Sequence, residues 1–556
     1  MIANFELVES SPHNRARLFA ASQRDERGCP VEGEGQLAAL CLSLLPPSPV
    51  LSPTEQALIA AADSQVVGKS LRLRVVEEIQ SGADPLGEWF TALRSSAVRR
   101  AAGAVYTPGA IFDPMIDWLR SQGTPARVVD PGAGSGRFVI AAGSAFPRAR
   151  LIAVENDPLA ALVLRTNLHL CRMSARAEVL VADYREIDLP LIEGVTAFVG
   201  NPPYVRHHQI AANWKAWYTS NFGKFGISAS ALAGLHLHFF LKTALLARDG
   251  DIGAFVTSAE WLDVNYGAAL RHLLARRLGA VGLHILAPTV EVFAGTATTA
   301  AISCFRVGDE RPTVNVRSVV DVEALGALAG GAQVQREQLS ITSRWSSMVR
   351  PTRVDDGDAV AVGDLFRVHR GQVTGANAVW IFDDKSPRLP QHVLHPTITR
   401  AHELIRAGQR LGSISTLRRV VDLPQDLSGL DEDDLRQVHA FLDWAKRNGA
   451  HESYIARHRR AWWSVGLRQA APILCTYMAR RAPQFTLNVA GARHINVAHG
   501  LYPRQPMSDV QLANIVTWLN GNVDVGSGRT YAGGLTKFEP REVERLRIPL
   551  REMAVA

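Results

Sequence analysis

Between Arg127 and Asn201, short and wholly apolar runs alternate with stretches patterned for helix: Val128-Val129-Asp130, Leu151-Ile152-Ala153-Val154, Val179-Leu180-Val181 and Ala197-Phe198-Val199. A strand apolar on both faces has to be buried on both. Runs of this length separated by amphipathic helices are therefore the pattern of a parallel sheet covered on each side. This feature constrains the chain more than any other: it predicts a doubly wound α/β architecture, with ligands at the carboxyl ends of the strands. Two more apolar runs, Gly253-Ala254-Phe255-Val256 and Ala300-Ala301-Ile302-Ser303-Cys304-Phe305, complete the predicted sheet, and past about residue 310 the rhythm is lost.

A chain of 556 residues, 47% of them hydrophobic, exceeds what one core holds. Residues 1–95 read as an N-terminal helical extension, broken by Leu45-Pro46-Pro47-Ser48-Pro49, where proline lacks the amide hydrogen a helix needs. Residues 96–320 carry the predicted sheet. Residues 345–556, with Gly, Trp and Arg interspersed, read as a separate α+β domain. The formal net charge of +7 fits a polyanionic partner without requiring one. Cys29, Cys41, Cys171, Cys304 and Cys475 are too scattered for a zinc site or a disulfide framework, so no metal is expected. The N-terminus lacks the order of a signal peptide and no long apolar run occurs, so the expected location is cytoplasmic, with no membrane partner.

The first strand runs into Pro131-Gly132-Ala133-Gly134-Ser135-Gly136, and a helix begins near Arg137. The glycines permit a tight turn and a close approach to the backbone, while the helix start presents unpaired amide hydrogens. The spacing G-x-G-x-G departs from the dinucleotide fingerprint, whose third glycine falls one position later. The second strand ends at Glu155, whose carboxylate can accept both hydroxyls of a ribose, and the third ends at Asp183, within reach of an adenine amine. Any one of Asp130, Glu155 and Asp183 is equally well read as a helix cap or surface acid; their joint placement around the glycine turn favours a site.

After the fourth strand comes Gly200-Asn201-Pro202-Pro203-Tyr204. An amine conjugated to an aromatic ring is a poor nucleophile because its lone pair is delocalised. Two fixed oxygens that accept its hydrogens draw the nitrogen toward tetrahedral geometry and free the lone pair for attack. The Asn201 side-chain carbonyl and the Pro202 backbone carbonyl suit this task, and Tyr204 offers a face on which a planar base can stack.

In this order the motifs resemble the class I methyltransferases that use S-adenosylmethionine. The resemblance implies that Asp130, Gly132 and Gly134 hold the methionine part, Glu155 the ribose and Asp183 the adenine, with Tyr184 lining the adenine face. Upstream, Gly103-Ala104-Val105-Tyr106-Thr107-Pro108 is similar to a segment of DNA adenine methyltransferases in which the threonine-proline turn touches the methionine end. Val292-Phe293-Ala294-Gly295 resembles the place where those enzymes set a phenylalanine, here Phe293, against the other face of an extruded base.

The motif order, with more than 200 residues following the catalytic fold, resembles the gamma class of amino-methyltransferases, whose target recognition domain is C-terminal. Gly371-Gln372-Val373-Thr374-Gly375-Ala376-Asn377 and Tyr531-Ala532-Gly533-Gly534-Leu535 through Ile548-Pro549 are similar to pieces of such domains in type II restriction–modification enzymes. The resemblance spans residues 84–310 and, with fewer matching pieces, 360–550. It implies a site-specific adenine-N6 methyltransferase acting on double-stranded DNA, paired in function with a restriction endonuclease. The basic stretch around Arg457, Arg459 and Arg460, next to Trp462 and Trp463, can neutralise phosphates, or can be a solvated face. Three rivals share the chemistry or the fold: release-factor glutamine methyltransferases and ribosomal RNA guanine methyltransferases, which lack so large a C-terminal domain, and a non-catalytic DNA specificity protein. Cytosine-N4 enzymes resemble Ser-Pro-Pro-Tyr instead, and Asn201 leans toward adenine.

Overall fold

A computed structural model describes residues 29–62, 67–95, 98, 107–287, 299–326, 328–342, 344–349, 359–479, 481–523, 528–531 and 535–550. The chain divides into two compact units, Met1–Pro351 and Thr352–Ala556.

The first unit is built on a nine-stranded sheet. Its strands are β1 (Arg127–Asp130), β2 (Arg150–Glu155), β3 (Ala177–Val181), β4 (Thr196–Gly200), β5 (Ile252–Ser258), β6 (Ala280–Leu286), β7 (Ala300–Arg306), β8 (Thr313–Val319) and β9 (Ala332–Gln335). The order across the sheet is 3-2-1-4-5-7-6-8-9. β1 pairs in parallel with both β2 and β4, so the direction of winding reverses between β1 and β4, and a crevice opens there at the carboxyl ends. Successive residues of β1 serve opposite cores. Val128 packs with Phe112, Phe138 and Val139 from the helices α5 (Gly109–Gln122) and α6 (Arg137–Ala145). Val129 packs with Tyr218, Phe222 and Phe240 from α8 (Ala212–Gly223) and α9 (Leu235–Leu246). This is the expected doubly wound α/β architecture.

The sheet is longer than the sequence predicts, and mixed. β7 runs antiparallel to both β5 and β6, and β6, β8 and β9 extend the edge. The segment that became β6 reads poorly as a buried strand because Gly282 and His284 interrupt it. In the fold His284 is fully buried; its Nδ1 accepts from Nε of Arg317 on β8 at 2.7 Å, while its Nε2 has no partner.

The N-terminal segment folds as α1 (Glu34–Leu44), α2 (Pro53–Ala61), α3 (Lys69–Gln80) and α4 (Pro85–Leu93). Helix α2 has a full capping box between Ser52 and Glu55, with Pro53 in its first turn. These helices are integral to the first unit. Leu37, Leu40, Val75, Ile79 and Leu86 share a core with Leu159, Leu162 and Val163 of α7 (Pro158–Leu170). Glu55, fully buried, accepts from Arg165 of α7 through both oxygens, at 2.7 and 3.1 Å.

The second unit is α+β. One four-stranded sheet, Phe366–Arg370, Ala498–Pro503, Ile473–Thr476 and Phe485–Leu487, packs against the helix Asp509–Asn522. Another, formed by Ile381–Phe382, Arg419–Val421, Leu394–Ile398 and Arg493–His494, shares a core with the helix Glu432–Arg447. Among the described residues no helix is long and apolar enough to cross a membrane.

Candidate active site

Two loops meet in the crevice between β1 and β4. A Cβ built on Gly132 would sit in ordinary contact with Cδ of Pro203 at 3.5 Å, which shows how closely the glycine turn and the Asn-Pro-Pro-Tyr loop pack, whereas one on Gly200 would lie 2.9 Å from Oδ1 of Asp130, so a larger residue there would force the two apart. Gly134 and Gly136 have φ of +54° and +96°, a region other residues rarely adopt. At Gly136, which caps α6, a Cβ would also fall 2.4 Å from Leu164 of α7, whereas around Gly134 there is open space.

Asp130 is completely buried, and neither carboxylate oxygen has a hydrogen-bond partner. Burial pushes its pKa up to about 8; the nearby backbone amides of Gly132 and Val139 offset this only in part. Glu155 is oriented by backbone: Gly134 N–H donates to Oε2 and Asp157 N–H to Oε1, each at 2.8 Å. Burial raises its carboxyl and these bonds oppose the rise. At Asp183 burial alone would raise the carboxyl, but the bonds from Arg185 outweigh it and hold it below the usual carboxylate range. Oδ1 of Asp183 receives both the backbone N–H and Nε of Arg185 at 2.9 Å, while Oδ2 receives Nη2 at 2.5 Å, so Oδ2 keeps the more accessible lone pair. Arg185 in turn lies 3.9 Å over the ring of Trp214.

Tyr184 does not take the place expected of it. Its side chain is 1% exposed, its hydroxyl bonds Thr243 Oγ1 at 3.0 Å and its ring packs on Phe239, so it belongs to the core beneath the sheet and offers no face to a ligand. The chain leaves β3 and turns at this point, with Glu186 N–H donating to the Asp183 carbonyl at 2.9 Å, and the turn carries residue 184 into the core.

Asn201 follows β4. Its Nδ2 donates to Thr107 Oγ1 at 3.0 Å, while its Oδ1 is buried with no partner. Thr107, 4% exposed, is thus engaged with the Asn201 amide. Pro202 is buried, and Tyr204 is half-buried, edge-on to His236 at 5.8 Å with its hydroxyl directed at the Val256 carbonyl. Burial raises the Tyr204 phenol and lowers the His236 imidazole to about 3, leaving both neutral. Phe293 lies outside the described residues, as does the segment from Gly103 to Tyr106.

The sequence reading passed over Asp84. This residue caps α4, is 1% exposed, and reaches into the glycine turn, where Ser135 Oγ and Arg137 Nε donate to Oδ2 at 2.6 and 3.0 Å. The only local signal was an Asp-Pro pair, which reads as an ordinary helix start.

In the second unit Arg457 and Arg460 are exposed, while Arg459 is half-buried and donates Nη2 to the Val373 carbonyl at 2.5 Å. It anchors the loop Gly371 to Asn377, where Gly375 adopts φ of +84° against Ser453. Tyr454, 73% exposed, lies tilted against the ring of His458 at 4.1 Å between centroids.

Two family models match the chain: the Eco57I restriction-modification methylase over residues 186–281, and the C-terminal domain of the type II methyltransferase M.Eco57I over residues 347–556. The type II methyltransferase M.XamI of Xanthomonas campestris pv. amaranthicola is 56% identical over 530 residues, covering 94% of this chain and 99% of that protein. A release factor glutamine methyltransferase of Mycolicibacterium smegmatis is 35% identical over 105 residues, which are 18% of this chain and 36% of the relative. Among solved structures, the type IIG restriction endonuclease BpuSI aligns with 93% of this chain and 69% of its own at a TM-score of 0.48 and 14% identity. With the relationship to M.XamI extending over nearly its whole length, the chain belongs to the type II methyltransferases of restriction–modification systems, which use S-adenosylmethionine.

Proposed function

We propose that the protein methylates the N6 amine of adenine at a specific sequence in double-stranded DNA, and so protects host DNA from a cognate restriction endonuclease. The observation that carries this reading is the Asn201 amide: one end is tied to Thr107, and the other is a buried carbonyl oxygen with nothing to accept from. Leaving such an acceptor unpaired costs about 1–3 kcal/mol, a cost expected where a substrate donor completes the site.

Bound in the crevice, S-adenosylmethionine supplies an electrophilic sulfonium methyl. The residues present fit it. The two unpartnered oxygens of Asp130 suit its amino group, the backbone of the glycine turn, open at Gly134, its methionine part, Glu155 the ribose hydroxyls, and Oδ2 of Asp183 the adenine amine. Asn201 Oδ1 and the Pro202 carbonyl accept the two hydrogens of the target amine, holding its lone pair toward the methyl. Tyr204 and Phe293 stack on the extruded base, which offsets the few kcal/mol needed to unstack it from the duplex. Residues 345–556 act as the target recognition domain, with Arg457 and Arg460 on phosphates.

The test is single-molecule sequencing of genomic DNA from a methylation-free host expressing the wild-type chain or Asn201→Ala. N6-methyladenine at one recurrent motif in the wild type, and none in the variant although it still binds cofactor, is the expected result. Equal modification by both would refute the role of Asn201. Unmodified DNA from soluble, cofactor-binding wild-type protein would redirect the reading to a protein or RNA substrate.

A further inference from the structure

Four donors converge on the buried carboxylate of Asp84. Gly87 N–H and Asn167 Nδ2 reach Oδ1 at 3.0 and 2.9 Å, while Ser135 Oγ and Arg137 Nε reach Oδ2 at 2.6 and 3.0 Å. Four acceptances saturate an ionised carboxylate, so the group is fully satisfied inside the protein and fixed in orientation. Its ligands come from separate places: α4 itself, the glycine turn, the start of α6, and α7.

Arg137 carries the arrangement onward. Its guanidinium, 8% exposed, is a planar fork: while Nε is on Asp84, Nη1 donates to the Thr107 carbonyl at 3.1 Å. Thr107 Oγ1 then accepts from Asn201 Nδ2 at 3.0 Å. The route from Asp84 to the amide that aims Asn201 Oδ1 thus has three links, each a hydrogen bond at low exposure, and its first member lies in the N-terminal helices outside the doubly wound sheet.

We propose that Asp84 is a positioning residue for methyl transfer, acting through Arg137 and Thr107 to fix the Asn201 amide. The proposal rests on the reading of Asn201 given above. Asp84 touches neither substrate nor cofactor in this scheme. It sets the direction in which Asn201 Oδ1 points, and since a misplacement of about 1 Å at a reacting centre costs on the order of a hundredfold in rate, its loss is read in turnover.

The experiment measures single-turnover methyl transfer by the full-length protein on a duplex carrying its recognition motif, with the rate normalised to sites that bind S-adenosylmethionine. Asp84→Asn places an NH₂ group where donors converge; its rate is expected to fall at least tenfold while cofactor affinity stays within about threefold. Thr107→Val keeps the backbone carbonyl for Arg137 but removes the acceptor for Asn201, and a comparable fall is expected, with Thr107→Ser recovering turnover relative to it. Because all three groups act on one amide, the Asp84→Asn/Thr107→Val double variant is expected to be no slower than the slower single variant. Multiplying effects, or a normalised rate for Asp84→Asn within twofold of wild type, overturn the proposal. Should Asp84→Asn fail to fold, Arg137→Lys tests the same link, since an ammonium cannot bridge both acceptors in this geometry; a wild-type rate there overturns it equally. Activity surviving in Asn201→Ala would instead sink the underlying reading of the site.

Discussion

Replacing Asp130 by Asn separates what the site costs the fold from what it does for the cofactor. In the free protein the carboxyl is fully buried, lacks hydrogen bonds and has its pKa raised from 3.8 to about 8. Between about pH 4 and pH 8 the unfolded chain has therefore lost a proton that the folded chain retains, so stability falls as pH rises through that window and levels off above it. At about 1.4 kcal/mol per pH unit, the loss over the roughly three units up to pH 7 is about 4 kcal/mol. A buried amide resembles the neutral acid in size and lack of partners but has no charged form. The variant is thus expected to match wild type near pH 4 and to exceed it by about 4 kcal/mol at pH 7. The assay is urea denaturation of both proteins without cofactor at pH 5, 6, 7 and 8, with calorimetric titration of S-adenosylmethionine alongside; cofactor affinity is expected to fall at least tenfold in the variant, because an amide cannot give up a proton to become the carboxylate partner of the bound amino group. Stability differences that stay constant from pH 5 to pH 8 would refute the reasoning, as would unimpaired cofactor binding.

Glu55→Ala leaves Arg165 of α7 without its buried partner and removes the capping box of α2, so a loss of about 3–5 kcal/mol is expected in denaturant unfolding; less than 1 kcal/mol would show that the N-terminal helices hold by apolar contact alone. In the second unit, Arg457→Ala and Arg460→Ala are each expected to lower the slope of log affinity against log salt by about 0.9, measured by DNA titration at several salt concentrations, and an unchanged slope would remove them from phosphate contact. Arg459→Ala is expected to leave the salt slope nearly unaltered and to reduce discrimination between specific and non-specific duplexes, since its side chain holds the Val373 carbonyl; a full unit of lost slope would refute that assignment.

Local pattern carried a great deal. Strands β1 to β5 and β7 fall on the apolar runs that predict them; apart from β3, a half-buried edge strand, the reason is that a strand buried on both faces has to be apolar at successive positions. The glycine turn and Asn-Pro-Pro-Tyr were equally legible, since tight turns and rigid loops impose residue types within a few positions.

What tertiary structure alone decided are partnerships between residues distant in sequence. Asp84 lies 53 residues from Arg137 and 83 from Asn167, and Thr107 lies 94 from Asn201. No periodicity links such positions, and Asp84-Pro85 by itself is an ordinary helix start. Arg459 read as one of a row of basic residues until the Val373 carbonyl, 86 residues away, claimed it. Nor did the alternation of apolar runs show that β7 would insert antiparallel between β5 and β6. Sequence determined the elements and the chemistry at their ends, because those depend on neighbours along the chain. Which buried polar group is satisfied, and which, like Asn201 Oδ1 and Asp130, is left waiting for a ligand, is decided only when segments far apart in sequence close around one another.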